Sequence, residues 1–148
     1  MNVRAYRGMD QYAVIELWRV CHLIVPWNNP EKDIERKLKV NPELFLVGEH
    51  RGEIIASAMA GYEGHRGWIN YLAVHPDFQG KGFGRQMMTH AEALLHAMGC
   101  PKINLQVRSG NSGVIAFYNH LNYRMDDVVS LGKHLDEEPE PGNNADQI

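Results

Sequence analysis

Between Val74 and Gln86 the chain reads His75-Pro76-Asp77-Phe78-Gln79-Gly80-Lys81-Gly82-Phe83-Gly84-Arg85, with glycines at alternate positions and two cations among them. Glycine takes positive φ without steric cost, so such a run can turn successive backbone N–H groups into one concavity. Where the run also opens a helix, the first-turn N–H groups lack intrahelical acceptors and the positive end of the dipole adds to them. The chemistry that fits is the holding of a phosphate or pyrophosphate, with Lys81 and Arg85 adding charge. The same glycines would also serve a tight turn and close packing, so the loop alone leaves both readings open. Spacing excludes two nucleotide motifs. A Walker A loop needs Gly-Lys followed by Ser or Thr, but Gly80-Lys81 precedes Gly82 and Gly132-Lys133 precedes His134. A dinucleotide fingerprint needs a glycine where Met87 stands.

Gln79, Gly82 and Gly84 satisfy a different pattern, Gln/Arg-x-x-Gly-x-Gly/Ala. Downstream, Asn111-Ser112-Gly113-Val114-Ile115-Ala116-Phe117-Tyr118 fits Asn-x-x-Ala-Ile-x-Phe-Tyr, with Val114 in place of the alanine. On these two segments the chain resembles the GNAT superfamily of acetyltransferases over roughly residues 1 to 135, and in local texture its small bacterial members of the YpeA type. Asn122-Tyr123 stands where that family commonly has Gly-Phe. Asparagine replaces glycine best in a left-handed helix-ending conformation, so this is a mild departure.

The resemblance implies an N-acetyltransferase that moves an acetyl group from acetyl-CoA, its cosubstrate, to a primary amine on a small molecule or a protein. Transfer would be by direct attack in a ternary complex. The backbone of Gln79, Gly80, Lys81, Gly82, Phe83, Gly84 and Arg85 would hold the coenzyme A pyrophosphate. The main chain of Leu72, Ala73 and Val74 would hold the pantetheine and polarise the thioester carbonyl. Asn111, Phe117 and Tyr118 would complete the cofactor site, with Tyr118 the general acid toward the departing thiolate. By spacing alone, Tyr118 also suits a ring packed in a core. The alternatives are a module that binds coenzyme A or acyl-CoA as a sensor and transfers little, and a transferase that uses a longer acyl chain or a different acceptor atom.

A proton acceptor is less evident. Some relatives that acetylate protein N-termini carry Glu in the segment matching Leu105 to Arg108, where this chain has Gln106. A side-chain amide is no base, which speaks against a protein N-terminus as acceptor. Glu63, acting through water, is the candidate, with His65, Asn70 and Tyr71 as relay groups; a solvated turn residue is the plainer reading of Glu63 and His65. Trp27, in the proline-flanked Val25-Pro26-Trp27-Asn28-Asn29-Pro30, and Tyr71 are candidates for the acceptor pocket, although an indole there can also simply anchor the loop. The eight histidines include no His-Glu-x-x-His, and His90 and His96 fall on different helix faces, so no metal is expected.

The elements needed to position these residues are legible from periodicity. A short strand at Val3 to Ala5 leads to a helix capped by Asp10 and running to about His22. A second helix covers about Glu31 to Val40. Leu44 to Glu49 and Glu53 to Tyr62 form a hairpin around Arg51-Gly52, and Trp68 to Val74 is the next strand. Phe83, Met87, Ala91, Leu94, Leu95 and Met98 recur at helical spacing until Gly99 stops them. Ile103, Leu105 and Val107 alternate as a strand, Val114 to Leu121 make a helix, and Val128 to Leu135 a last strand. This is the order of the GNAT fold, an α/β (α+β) domain whose mixed, twisted sheet is flanked by helices.

A chain of 148 residues that is 44% hydrophobic suits one domain, expected over 1 to 135. Residues 136 to 148 carry five acids and no base, so they are expected to form a disordered acidic tail; the rest has a formal charge of about +2 against −3 for the whole. That charge and the lack of interleaved aromatic residues exclude a nucleic-acid partner. No apolar run approaches the roughly 20 residues of a membrane span, and no secretory leader is evident, so the expected location is cytoplasmic. Cys21 and Cys100 form neither a disulfide framework nor a ligand pair. Relatives of this kind often form homodimers through sheet edges or helices.

Overall fold

Strands β1 (Asn2–Ala5), β2 (Phe45–His50), β3 (Glu53–Tyr62), β4 (Gly67–Val74) and β5 (Ile103–Asn104) make one sheet in chain order. The first four are successively antiparallel and β5 is parallel to β4, so the sheet is mixed. This is a computed structural model; it describes residues 1–136 and resolves into two compact units, Met1–Leu105 and Gln106–Ile148. The expected tail lies, beyond Asp136, outside the described residues.

In the first unit β3 is buried at every position from Ile55 to Ala60, the signature of a strand covered on both faces. On one face Phe45, Val47 and Met59 pack with Val14, Leu17 and Trp18 of α1 (Gln11–Val20) and with Ile34 of α2 (Pro30–Lys37). Alternation turns Leu46, Ala56, Ala58 and Ala60 to the other face. The helix α3 (Phe83–Ala97), which lies against β2, β3 and β4, buries Met87, Met88, Ala91 and Leu95. Gly99, at φ 87°, ends α3 as its sequence position predicts.

Local chemistry moves several boundaries. Asp10 does not cap α1 forward; its carboxylate reaches back, accepting from the Arg7 N–H at 2.8 Å and pairing with Arg4 at 2.8 Å. The helix instead follows a single 3-10 turn at Gly8–Asp10, and it ends at Val20, before His22 at φ 59°. The helix α2 starts on Pro30, whose missing N–H costs nothing at a first helical position, behind an Asn29 side chain that accepts from the Lys32 N–H. It stops at Lys37, short of Val40. β5 is two residues long where the alternation from Ile103 to Arg108 predicts six, because its pairing on β4 ends at Trp68 and β4 bulges three residues later.

In the second unit α4 (Ser112–His120) is capped by Asn111, whose Oδ1 accepts from the Val114 N–H. Asn122 takes the left-handed conformation after its end, at φ 71°. The strand expected over Val128 to Leu135 is not formed: no described residue of this unit belongs to a strand. A strand exists only by pairing, and the described main chain there has no ladder partner.

Candidate active site

The glycine-rich loop folds as its composition predicts. Pro76–Phe78 is one 3-10 turn held by the Asp77 N–H on His75 Nδ1, and Gly80 and Gly82 follow at φ 75° and 87°. Gly82 is the N-cap of α3 and supplies no side-chain acceptor, so the first-turn N–H groups at Phe83 and Gly84 face out of the helix end without a cap from it. A β-carbon at Gly80 or Gly82 would meet nothing within 4 Å, so positive φ, not crowding, is what demands glycine there. Gln79 fastens the loop to the end of β4, its Nε2 donating to the Val74 carbonyl at 2.9 Å. Lys81 lies over the Phe78 ring at 5.6 Å. Open glycine backbone, an uncapped helix start and nearby cations together fit an anionic pyrophosphate.

Leu72, Ala73 and Val74 stand at the end of β4 that leads into this loop. β5 pairs with β4 only at Gly67 and Trp68, so the edge of β4 beyond Trp68 carries no strand partner in this unit. On its other side β4 is bulged: Asn70 pairs with Met59 and Ala73 with Ser57, which leaves Tyr71 and Leu72 opposite Ala58 alone. Tyr71 sits at φ 53°, an uncommon conformation for a non-glycine residue.

Three groups hold that bulge. Trp18 Nε1 donates to Ser57 Oγ at 2.9 Å, and Ser57 Oγ donates to the Tyr71 carbonyl at 2.8 Å. The Tyr71 ring stacks on Trp18 at 3.9 Å, and its hydroxyl donates to Asp33 Oδ2 at 2.6 Å. Burial and the Asp33 carboxylate push the Tyr71 phenol well above its ordinary range, so it keeps its proton. The Tyr71 side chain is therefore a core group and not an open pocket wall. Sequence reasoning does not single out Ser57, Trp18 or Asp33. The available signal is Ser57, one hydroxyl inside the apolar run Ile54 to Ala60.

Glu63 is exposed in the turn after β3. Its Oε1 accepts from the backbone N–H groups of His65, at 2.8 Å, and of Arg66. These bonds hold its carboxyl below the usual carboxylate range, which suits the closing of a turn better than the capture of protons. His65 and Asn70 are also exposed. Trp27 is half-buried in the turn between α1 and α2, its Nε1 shielded and without a hydrogen bond among the described residues.

In the second unit Tyr118 is 8% exposed, edge-on to Phe117 at 5.1 Å and to Tyr123 at 5.6 Å. Burial raises its phenol pKa well above the ordinary value. Gln106 Nε2 donates to Ser130 Oγ, so this amide has a structural partner. Among the described residues no three His, Cys, Asp or Glu side chains gather as a metal cage. No described helix is long and apolar enough to cross a membrane.

The model of the acetyltransferase (GNAT) family matches residues 12–123. An acetyltransferase of Pectobacterium atrosepticum is 51% identical over 140 residues, 95% of this chain and 99% of that protein. Among solved structures, the ribosomal-protein-S18-alanine N-acetyltransferase of Escherichia coli aligns with a TM-score of 0.68 at 24% identity, over 81% of this chain and 75% of that one. Chaetomium thermophilum Naa20, solved with a bisubstrate analogue, aligns at 0.67 and 24%, over 82% and 70%. These two likenesses speak for the fold. The match begins in α1, takes in the bulged strand and the glycine loop and ends on Tyr123, and the relative is half identical along nearly its whole length: the chain belongs to the GNAT family of acetyltransferases.

Proposed function

We propose that this enzyme transfers the acetyl group of acetyl-CoA to a primary amine, and that residues 1 to 135 act as one acetyltransferase domain. The family match, which runs through both compact units, supports the domain reading. The observation that carries the cofactor assignment is the start of α3 with no side-chain cap behind Gly80 and Gly82, continuous through Gln79 with a β4 edge that has no strand partner past Trp68 among the described residues.

When bound, acetyl-CoA supplies an activated acyl thioester. In this reading the loop N–H groups of Gly80 to Arg85 hold the pyrophosphate, and the main chain of Leu72 to Val74 orients the pantetheine arm by strand-like hydrogen bonds. Tyr118 keeps its proton across neutral pH. A phenol raised above ~10 does not hand its proton wholly to a thiolate of pKa ~8.5. Its contribution as general acid is thus a hydrogen bond to the sulfur that strengthens as charge develops there. Asn111 caps the helix that carries Tyr118, and Phe117 packs against it. Trp27 is assigned to the acceptor side, where an indole face suits an apolar or cationic amine. Tyr71 contributes its bulged main chain. With Glu63 held by its turn, deprotonation of the amine falls to water near the acceptor.

The test is thiol release from acetyl-CoA with a panel of primary amines. Release that requires both enzyme and amine is expected. Tight binding of coenzyme A with no release for any amine would favour the sensor reading instead.

A further inference from the structure

The β4 bulge is held from inside the core, and the hydrogen bonds that hold it can run in one direction only. An indole N–H donates and cannot accept, while a backbone carbonyl accepts and cannot donate. Ser57 Oγ must therefore accept from Trp18 Nε1, at 2.9 Å, and turn its own proton to the Tyr71 carbonyl, at 2.8 Å. Trp18 and Ser57 are both fully buried, so water does not stand in for either. The peptide between Tyr71 and Leu72 is trans, which makes its carbonyl and its N–H point in opposite directions. With the carbonyl turned toward Ser57, the Leu72 N–H is turned away from β3, to the side on which β4 pairs with β5 only as far as Trp68.

Tyr71 sits at φ 53°, a conformation that a bulky residue keeps only where its surroundings impose it. Trp18 acts on Tyr71 twice: its face carries the Tyr71 ring at 3.9 Å, and its N–H reaches the Tyr71 carbonyl through Ser57. The Tyr71 hydroxyl, donating to Asp33 at 2.6 Å, fixes the far end of the same side chain. In a dry chain of this kind each donor polarises the next, by about 10 to 30% per bond. A peptide whose carbonyl is drawn on in this way becomes a stronger donor at its N–H. With acetyl-CoA laid along Leu72 to Val74, as proposed, we infer that Trp18 and Ser57 are positioning residues for the transfer: they aim and strengthen the Leu72 N–H as a donor to the thioester carbonyl oxygen. That oxygen gains negative charge when the amine attacks, so a donor already fixed on it stabilises the transition state more than the ground state.

The experiment is difference infrared spectroscopy of acetyl-CoA, isotopically labelled at the thioester carbonyl and bound to the full chain with no amine present. Affinity for acetyl-CoA and the urea midpoint are measured on the same proteins. Compared are the wild type, Ser57→Ala, which removes the link, and Trp18→Phe, which keeps an aromatic ring and removes only the first donor. In the wild type the carbonyl band should lie below its position in free acetyl-CoA. Ser57→Ala should lose about half of that shift or more and Trp18→Phe about a fifth, with the dissociation constant within about threefold of wild type in both. Residues that only stabilise the fold would lower the urea midpoint and leave the band of the bound complex where it is. A shift that persists undiminished in both variants, or a wild-type band at the free position, would overturn the relay and leave the cofactor assignment standing. Failure of acetyl-CoA to bind the wild type would overturn both, and so is told apart from failure of the relay. If Ser57→Ala does not fold, the band in Trp18→Phe decides.

Discussion

Tyr118 is buried among Phe117 and Tyr123 and holds its proton more firmly than a free phenol, which makes two results specific to it. Tyr118→Phe keeps the ring and loses the donor, so kcat should fall by about 10²-fold or more while coenzyme A affinity stays nearly constant. Because the protonated form is the active one and its pKa is raised, turnover in the wild type should not decline through pH ~10, where an ordinary tyrosine would begin to ionise; a pH–rate profile checks this. Asp10 shows the opposite sign. The Arg4 guanidinium, then the Arg7 N–H, lower its pKa, so its contribution to stability is complete above the unfolded value of ~3.9 and disappears as pH falls through the lower folded one. Asp10→Asn should cost about 1 to 3 kcal/mol at pH 7 in urea unfolding, with the gap closing below pH ~4. Tyr118, Asn111 and Asn122 are legible because a local pattern marks them. Asp10 misleads because an acidic residue before a helix fits a cap and an ion pair equally well in sequence, and Arg4 decides between them only in space.

Elements with a strong internal period need no partner to be recognised: α3 follows its apolar spacing from Phe83 and stops at Gly99. Short strands are less legible, because ladder length is set by the neighbour. β5 ends with its pairing at Trp68, and the run after Asp127 enters no ladder among the described residues. The bulge itself leaves no mark in β4; its signature is on other elements, in Ser57, Trp18 and Asp33. Ser57→Ala should strand the Trp18 N–H and the Tyr71 carbonyl in the core and cost about 2 to 3 kcal/mol, read as a lower urea midpoint at unchanged slope. In the loop, Gly82→Asn tolerates the left-handed conformation and adds no charge, whereas Gly82→Asp adds a negative charge beside the proposed pyrophosphate. The Asp variant should lose coenzyme A binding by at least about 100-fold and the Asn variant by much less, which isolates charge from strain in a titration.

Across the whole chain, composition bounds the protein to a small α/β domain and two motifs narrow it to one family, which the match over residues 12–123 establishes. The acceptor is not legible, because the elements that would shape its pocket carry residues such as Trp27 that serve packing and recognition alike. Every other site assignment rests on the cofactor. The decisive measurement is isothermal calorimetry of the purified full chain with coenzyme A and acetyl-CoA, with ATP and NAD as controls. Micromolar binding of the first two, about −8 kcal/mol, and none of the controls is the expected result. Absence of coenzyme A binding, or equal binding of ATP, would overturn the cofactor assignment and the roles built on it.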